Sequence, residues 1–217
     1  QSLSKKAEFL TKYCCIKQNS SLALFDAQTI EACCGDPLRL EDFRGCYCVG
    51  GVDLSRTTDL TACCVVIERD GELYVFAQLF LPSEKIDEAQ QRDGVPYRIY
   101  EQRGFLSPSG ENFVDYQSVY EWFTRAVSEY QLLPLKVGYD RYSSQYLVQN
   151  MDAFGFNMDD VFQGYNLTGV IYEMEGLIKD GTLKFGANDL MKVHLYDTAL
   201  DSDTRNGRVK ICKVSKN

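Results

Sequence analysis

Val49-Gly50-Gly51-Val52-Asp53-Leu54-Ser55-Arg56-Thr57-Thr58-Asp59-Leu60-Thr61-Ala62 is the stretch of this 217-residue chain from which its fold can be read. Cys46, Tyr47, Cys48, Val49 and Val52 form a short apolar run, the pattern of a strand buried on both faces, and the run delivers the carboxylate of Asp53 at its end. An ionised carboxylate taken out of water must be compensated by hydrogen bonds, a cation or a metal. Asp53 therefore needs a partner, unless it serves to cap the polar turn that follows, together with Ser55 and Thr57. On this stretch alone both readings stand.

Downstream, residues 62–67 make a second apolar run, Arg69-Asp70-Gly71 supplies a hairpin turn, and residues 73–81 make a third run closed by Pro82. Together with the Asp53 strand they read as an antiparallel meander. Residues 83–115 are polar and interrupted by Gly94, Pro96, Gly104, Pro108 and Gly110, leaving room for at most one short helix and one short strand around Arg98 to Gln102. The period then changes. Val119, Trp122, Phe123, Ala126 and Val127 share one helical face that stops before Pro134, and Leu135-Lys136-Val137-Gly138-Tyr139-Asp140 reads as a short strand ending in an acid. Tyr146, Leu147, Asn150 and Met151 mark another amphipathic helix closed near Gly155. Residues 161–164 read as a strand, 167–180 as a helix ended by Gly181, and 182–185 as a brief strand. Asn188 or Asp189 caps a last helix that runs to about Leu200 and carries Leu190, Met191, Val193, His194 and Asp197.

Upstream, Ala7, Phe9, Leu10, Tyr13 and Cys14 have helical spacing, and a second short helix extends from an Asp26 N-cap to Cys34, stopped by Gly35. Residues 1–45 carry too little apolar surface for a core of their own and read as a helical arm that must dock on residues 46–217.

With 45% hydrophobic and 25% charged residues, the chain can build one sizeable globular core. It contains no apolar run of bilayer-spanning length and no hydrophobic signal segment after Gln1-Ser2-Leu3-Ser4-Lys5-Lys6, so it reads as soluble and intracellular. Its nine cysteines fall as the adjacent pairs Cys14-Cys15, Cys33-Cys34 and Cys63-Cys64 plus Cys46, Cys48 and Cys212, with no C-x2-C zinc pattern. They read as small hydrophobes in a reducing compartment. A formal net charge of -8 argues against bulk electrostatic coating of nucleic acid, but a cluster of metal-binding carboxylates is itself acidic until cations arrive. Residues 204–217 are the one basic segment: Arg205, Arg208, Lys210, Lys213 and Lys216 occur there with no acid. They read either as phosphate contacts or as a solvated tail or protected edge strand.

Three meander strands, then helix–strand units, then a final helix is the order of a ribonuclease-H-like α/β fold, in which acids on the first strand, at the end of the fourth strand and on the last helix converge. Two hard divalent cations about 4 Å apart need several oxygen ligands to activate a water and stabilise the leaving oxygen, and oxygen-rich ligation suits magnesium or manganese.

Gly51-Val52-Asp53-Leu54-Ser55 with Asp59-Leu60-Thr61-Ala62, then Gly138-Tyr139-Asp140-Arg141-Tyr142, then Gln163-Gly164 leading to Glu175-Gly176-Leu177-Ile178-Lys179-Asp180-Gly181-Thr182-Leu183, resemble the nuclease domain of tailed-phage large terminase subunits. Leu190 to Asp197, Asn206-Gly207 and Lys213 continue the resemblance, and the arm resembles the segment that joins that family's two domains. The resemblance implies a metal-dependent endonuclease that cuts concatemeric viral DNA during head filling in the host cytoplasm, holding two Mg2+ or Mn2+ ions. It implies as partners double-stranded DNA, the terminase ATPase domain, the small terminase subunit and the portal. No G-x-x-x-x-G-K-[ST] occurs, so the chain reads as a C-terminal portion lacking the motor. Asp53 and Asp140 carry over as metal ligands. Asp197 is the third acid by the same resemblance, with His194 one turn away on the same helix face; Asp201 and Asp203 are the alternatives. Two rivals remain: another ribonuclease-H-like enzyme of transposase or resolvase type, and a metal-free docking module that holds the motor to its portal.

Overall fold

The computed structural model describes residues 23–55, 57–140, 145–203 and 205–214. Its centre is the expected meander, β1 (Tyr47–Asp53), β2 (Thr61–Arg69) and β3 (Glu72–Leu81), paired antiparallel in sequence. The β2–β3 turn falls at Asp70 and Gly71, both at positive φ (56° and 80°), the conformation a tight hairpin with native strand twist requires. β5 (Leu133–Asp140) then returns to lie parallel to β1, and β6 (Met158–Val161) lies parallel to β5. At the other edge, β4 (Leu106–Pro108) and β7 (Leu183–Lys184) pair parallel with opposite ends of β3. The sheet thus runs β4-β3-β2-β1-β5-β6 with β7 beside β3, the ribonuclease-H-like arrangement of a mixed sheet flanked by helices.

Alternation along β2 assigns the two faces. Cys63, Val65 and Ile67 enter one core with Val119, Phe123 and Ala126 of α4 (Tyr116–Ser128) and Leu147 and Met151 of α5 (Gln145–Phe154). Cys64 and Val66 face the other core, built from Phe25, Ile30 and Cys33 around α1 (Ala27–Ala32), Ile178 of α6 (Thr168–Lys179), and Val75. Asp26 caps α1 as expected, accepting from the Thr29 N–H at 2.7 Å. Gly50 lies close under α4: a Cβ there would stand 2.9 Å from both Phe123 Cε1 and Val137 Cγ2. A side chain at that position would wedge sheet and helix apart.

Three expectations are corrected. β1 is not buried on both faces: Cys48 and Val52 are buried, but Tyr47 and Val49 are 63% and 47% exposed, because no described helix covers that side of β1 and β5. Residues 83–115 hold two helices, α2 (Ile86–Asp93) and α3 (Tyr97–Gln102), followed by β4, and Arg98 to Gln102 is helical rather than extended. Ile86, Ala89, Val95, Tyr97 and Tyr100, sparse among polar residues, are buried there with Leu79, Leu81, Leu106 and Leu190 in a third core. The last helix, α7 (Asp189–Tyr196), is shorter than expected and leads into an antiparallel hairpin, β8 (Thr198–Asp203) and β9 (Arg208–Lys213), so that the basic segment forms a strand, as one of its readings has it, and the strand before it is new. Alternating Ala199, Val209 and the charged residues between them make that hairpin half-buried and short, a weak period-2 signal.

The expected helix around residues 7–14 lies outside the described residues, as do Cys14, Cys15, Arg56, Arg141, Tyr142 and Lys216. The described cysteines are free; Cys33, Cys48 and Cys63 are buried, the others partly so. No helix among the described residues is long and apolar enough to cross a membrane.

Candidate active site

Parallel register brings two acids together. Val52 of β1 pairs with Tyr139 of β5, so the next residues, Asp53 and Asp140, end neighbouring strands side by side. Both belong to the sheet face opposite the α4–α5 core, since Val52 and Tyr139 pack into that core and successive side chains alternate. Asp53 is open to solvent on one side, yet the surrounding protein desolvates it enough to raise its pKa, and the charge of Asp140 raises it further. Gln163, just beyond β6, hydrogen-bonds to Asp53 and pulls the other way, while Asp59 adds a second, weaker repulsion. Among the described residues the turn after β1 is closed by Thr61: its buried Oγ1 accepts from Ser55 N at 2.9 Å and donates to Ser55 O at 3.0 Å.

Asp197 is the C-cap of α7, where its own N–H bonds back to His194 O and its carbonyl accepts from Val214 N at 2.8 Å. Its side-chain charge reaches His194 and Tyr97. Burial lowers the His194 pKa, keeping the ring neutral, while Asp197 and Asp93 oppose that shift. His194 Nε2 is buried and, among the described residues, has no hydrogen-bond partner. Asp201 and Asp203 sit on the hairpin already engaged. Asp201 lies 3.1 Å from Lys210 Nζ and accepts from Tyr165 Oη at 3.1 Å; Asp203 accepts from Asn206 Nδ2 at 2.7 Å and Arg205 N at 3.2 Å. These donors lower both pKa values.

Of the basic residues singled out from sequence, Lys210 is thus paired with Asp201, Arg208 feels Asp203, and Lys213 reaches across to Asp59, 3.2 Å away. Arg92 and Asp93 near the same place were not visible as site residues, because they end a helix hidden in a polar stretch. The Gly94 at positive φ that stops that helix was the available signal.

Chemically, the Asp53–Asp140 pair is a set of hard oxygen donors whose mutual repulsion a divalent cation relieves, and the orphaned neutral imidazole nitrogen of His194 is a further donor. The donors suit such an ion. Even so, among the described residues no three His, Cys, Asp or Glu side chains are already grouped tightly enough to hold one. The structure joins Asp53 with Asp140, and Asp197 with His194, without drawing the two sets into one cluster.

The family model for the terminase large subunit, endonuclease domain, matches residues 1–217. No curated protein matches the chain. Among solved structures, the chain is similar to the large terminase of bacteriophage HK97, with a TM-score of 0.76 at 22% identity, covering 87% of this chain and 39% of that one. It is similar also to the large terminase nuclease of thermophilic phage G20c with bound magnesium, at TM-score 0.57, 12% identity and 91% of both chains. The same G20c nuclease with bound cobalt gives TM-score 0.50 at 12% identity, again over 91% of both chains. At these identities the likeness is one of fold. The chain spans well under half of the HK97 protein's length.

Proposed function

The chain belongs to the family of terminase large subunit endonuclease domains, and from that premise we propose that it is a divalent-metal-dependent endodeoxyribonuclease that cuts concatemeric viral DNA during packaging. The observation that carries the reading is the side-by-side placement of Asp53 and Asp140 at the ends of β1 and β5. Asp53 and Asp140 hold the metal, and Gln163 fixes the orientation of Asp53 through its hydrogen bond. Asp197 is the third acid and His194 its neighbouring donor; Asp201 and Asp203 are the weaker alternatives, since each is engaged within the hairpin. These residues would hold magnesium or manganese, as a pair of ions, whose charge would activate water and steady the leaving oxygen. The partners are duplex DNA, contacted through Lys213 with Arg205, Arg208 and Lys210, and a packaging motor with its ATPase domain, small subunit and portal. Residues 1–45 join this domain to that ATPase, and the setting is the host cytoplasm.

Conversion of supercoiled plasmid to nicked and linear forms with manganese, absent in EDTA, tests the reading. Cleavage independent of metal would overturn it. Calorimetry separates the nuclease from a docking module that needs no metal: heat of manganese binding that vanishes in Asp53→Asn supports the nuclease, and silence in the parent supports docking.

A further inference from the structure

Asp59 lies on the loop between β1 and β2 and is approached from two distant parts of the chain. Its Oδ1 lies 3.2 Å from the Nζ of Lys213, the last residue of β9. Its charge also reaches Arg92, at the end of α2, and Asp53. Arg92 is not a loose surface cation. Its Nε and Nη2 form a fork on Asp93 Oδ1 and Oδ2 at 2.7 and 2.9 Å, and Tyr97 Oη donates to the same carboxylate at 3.0 Å from a ring only 1% exposed. The guanidinium is therefore positioned from the core outward, and the fork occupies two of its three nitrogens, leaving Nη1.

Lys213 thus pairs with this carboxylate, and Arg92, from a separate element, lies within its electrostatic reach, as does Asp53 of the acid pair. An arginine and a lysine that share one acidic neighbour suit the non-bridging oxygens of a phosphodiester, for which a carboxylate is a natural stand-in. The stand-in is weakly held: the side chains of Lys213 and Asp59 are 87% and 64% exposed, and ion pairs that open to water exchange readily.

We propose that Arg92 and Lys213 form a backbone-phosphate subsite beside the Asp53–Asp140 pair, and that Asp59 occupies it until DNA displaces it. The proposal rests on the DNA-cutting reading above. Asp93 and Tyr97 are positioning residues for Arg92. Asp59 lowers the apparent affinity of the subsite for every anion alike, so a ligand that also makes contacts elsewhere, as a DNA backbone does, enters more readily than a free anion.

The test is equilibrium binding of a fluorescein-labelled duplex of about 30 base pairs to the full chain in EDTA, across a series of NaCl concentrations. Arg92→Gln and Lys213→Gln should each weaken binding about three- to tenfold at low salt and flatten the log–log salt slope by about 0.9. Asp59→Asn should tighten binding severalfold. Arg92→Lys should restore most of the slope. Unchanged slopes in both glutamine variants, or weaker binding by Asp59→Asn, would overturn the subsite. If Arg92→Gln melts early by circular dichroism, Lys213→Gln and Asp59→Asn, both on exposed side chains, decide the matter. A parent that cuts plasmid with manganese while its variants keep their slopes loses only the subsite. A parent that neither binds duplex nor cuts plasmid loses the nuclease reading as well.

Discussion

Asp53 and Asp201 are both strand aspartates, but they sit in opposite electrostatic settings. At the sheet centre, Asp53 stands beside another carboxylate, with Gln163 as a hydrogen-bonding partner, and its pKa is raised. On the hairpin, Asp201 has Lys210 and Tyr165, Asp203 has Asn206 and Arg205, and both pKa values are lowered. The hairpin acids are satisfied as they stand; the central pair carries a mutual repulsion that a bound cation relieves. Counting carboxylates along a sequence cannot separate these cases. The neighbours supplied by register can.

The largest effect that would break the contrast lies at the centre. Asp53→Asn or Asp140→Asn is expected to lower manganese-dependent plasmid cleavage on the order of a thousandfold, because the amide keeps the shape and loses the charge that holds the metal. In EDTA the same variants should melt no lower than the parent, since one of two repelling charges is gone. Substantial cleavage by Asp53→Asn would put the central pair on the same footing as the hairpin acids.

A smaller effect sharpens the contrast at its other end. Cleavage by Asp197→Asn should fall at least about tenfold below that by Asp201→Asn or Asp203→Asn, because Asp197 caps α7 beside His194 while the other two are tied into the hairpin. Full activity in Asp197→Asn with loss in either of the others would move the third ligand onto β8.

The smallest concerns Asp26, another donor-held acid, whose pKa is lowered chiefly by the Thr29 N–H. A depressed acid stabilises the fold above the ordinary aspartate range, and that contribution is lost as pH falls through its folded pKa. Asp26→Ala should therefore cost about 0.5–1 kcal/mol at pH 7, for so exposed a cap, and progressively less below pH ~4. Chemical denaturation at several pH values measures it; a penalty that grows on acidification would reverse the sign.

Much of this was legible in the residues. The meander, its Asp70-Gly71 turn and the acid-terminated strands all carry period-2 or turn signals, and those signals placed Asp53 and Asp140. Gln163 belongs to the Gln163-Gly164 motif, but its role depends on a meeting with Asp53 that no local pattern records. Tyr47 and Val49 misled because an apolar run says nothing of which side a helix will cover. α2 was missed because its two buried residues, Ile86 and Ala89, are diluted by charge, and Arg92 and Asp93 were missed with it. β9 is among the readings of the basic segment, as an edge strand, but β8 reads in part as helix, because it is only six residues long and two of them are charged.

The β1–β5 pairing also sets the order in which competence can arise during synthesis. Asp53 and Asp140 belong to strands separated by the rest of the meander, by α2, α3 and β4, and by α4. The meander closes through local turns, whereas a parallel pairing across so much chain is paid for in loop-closure entropy and forms slowly. A nascent chain that has folded only through β3 therefore presents a solitary Asp53 and no pair. The Asp53–Asp140 pair is a property of the finished topology, so a chain that has not yet added β5 to the sheet does not carry it.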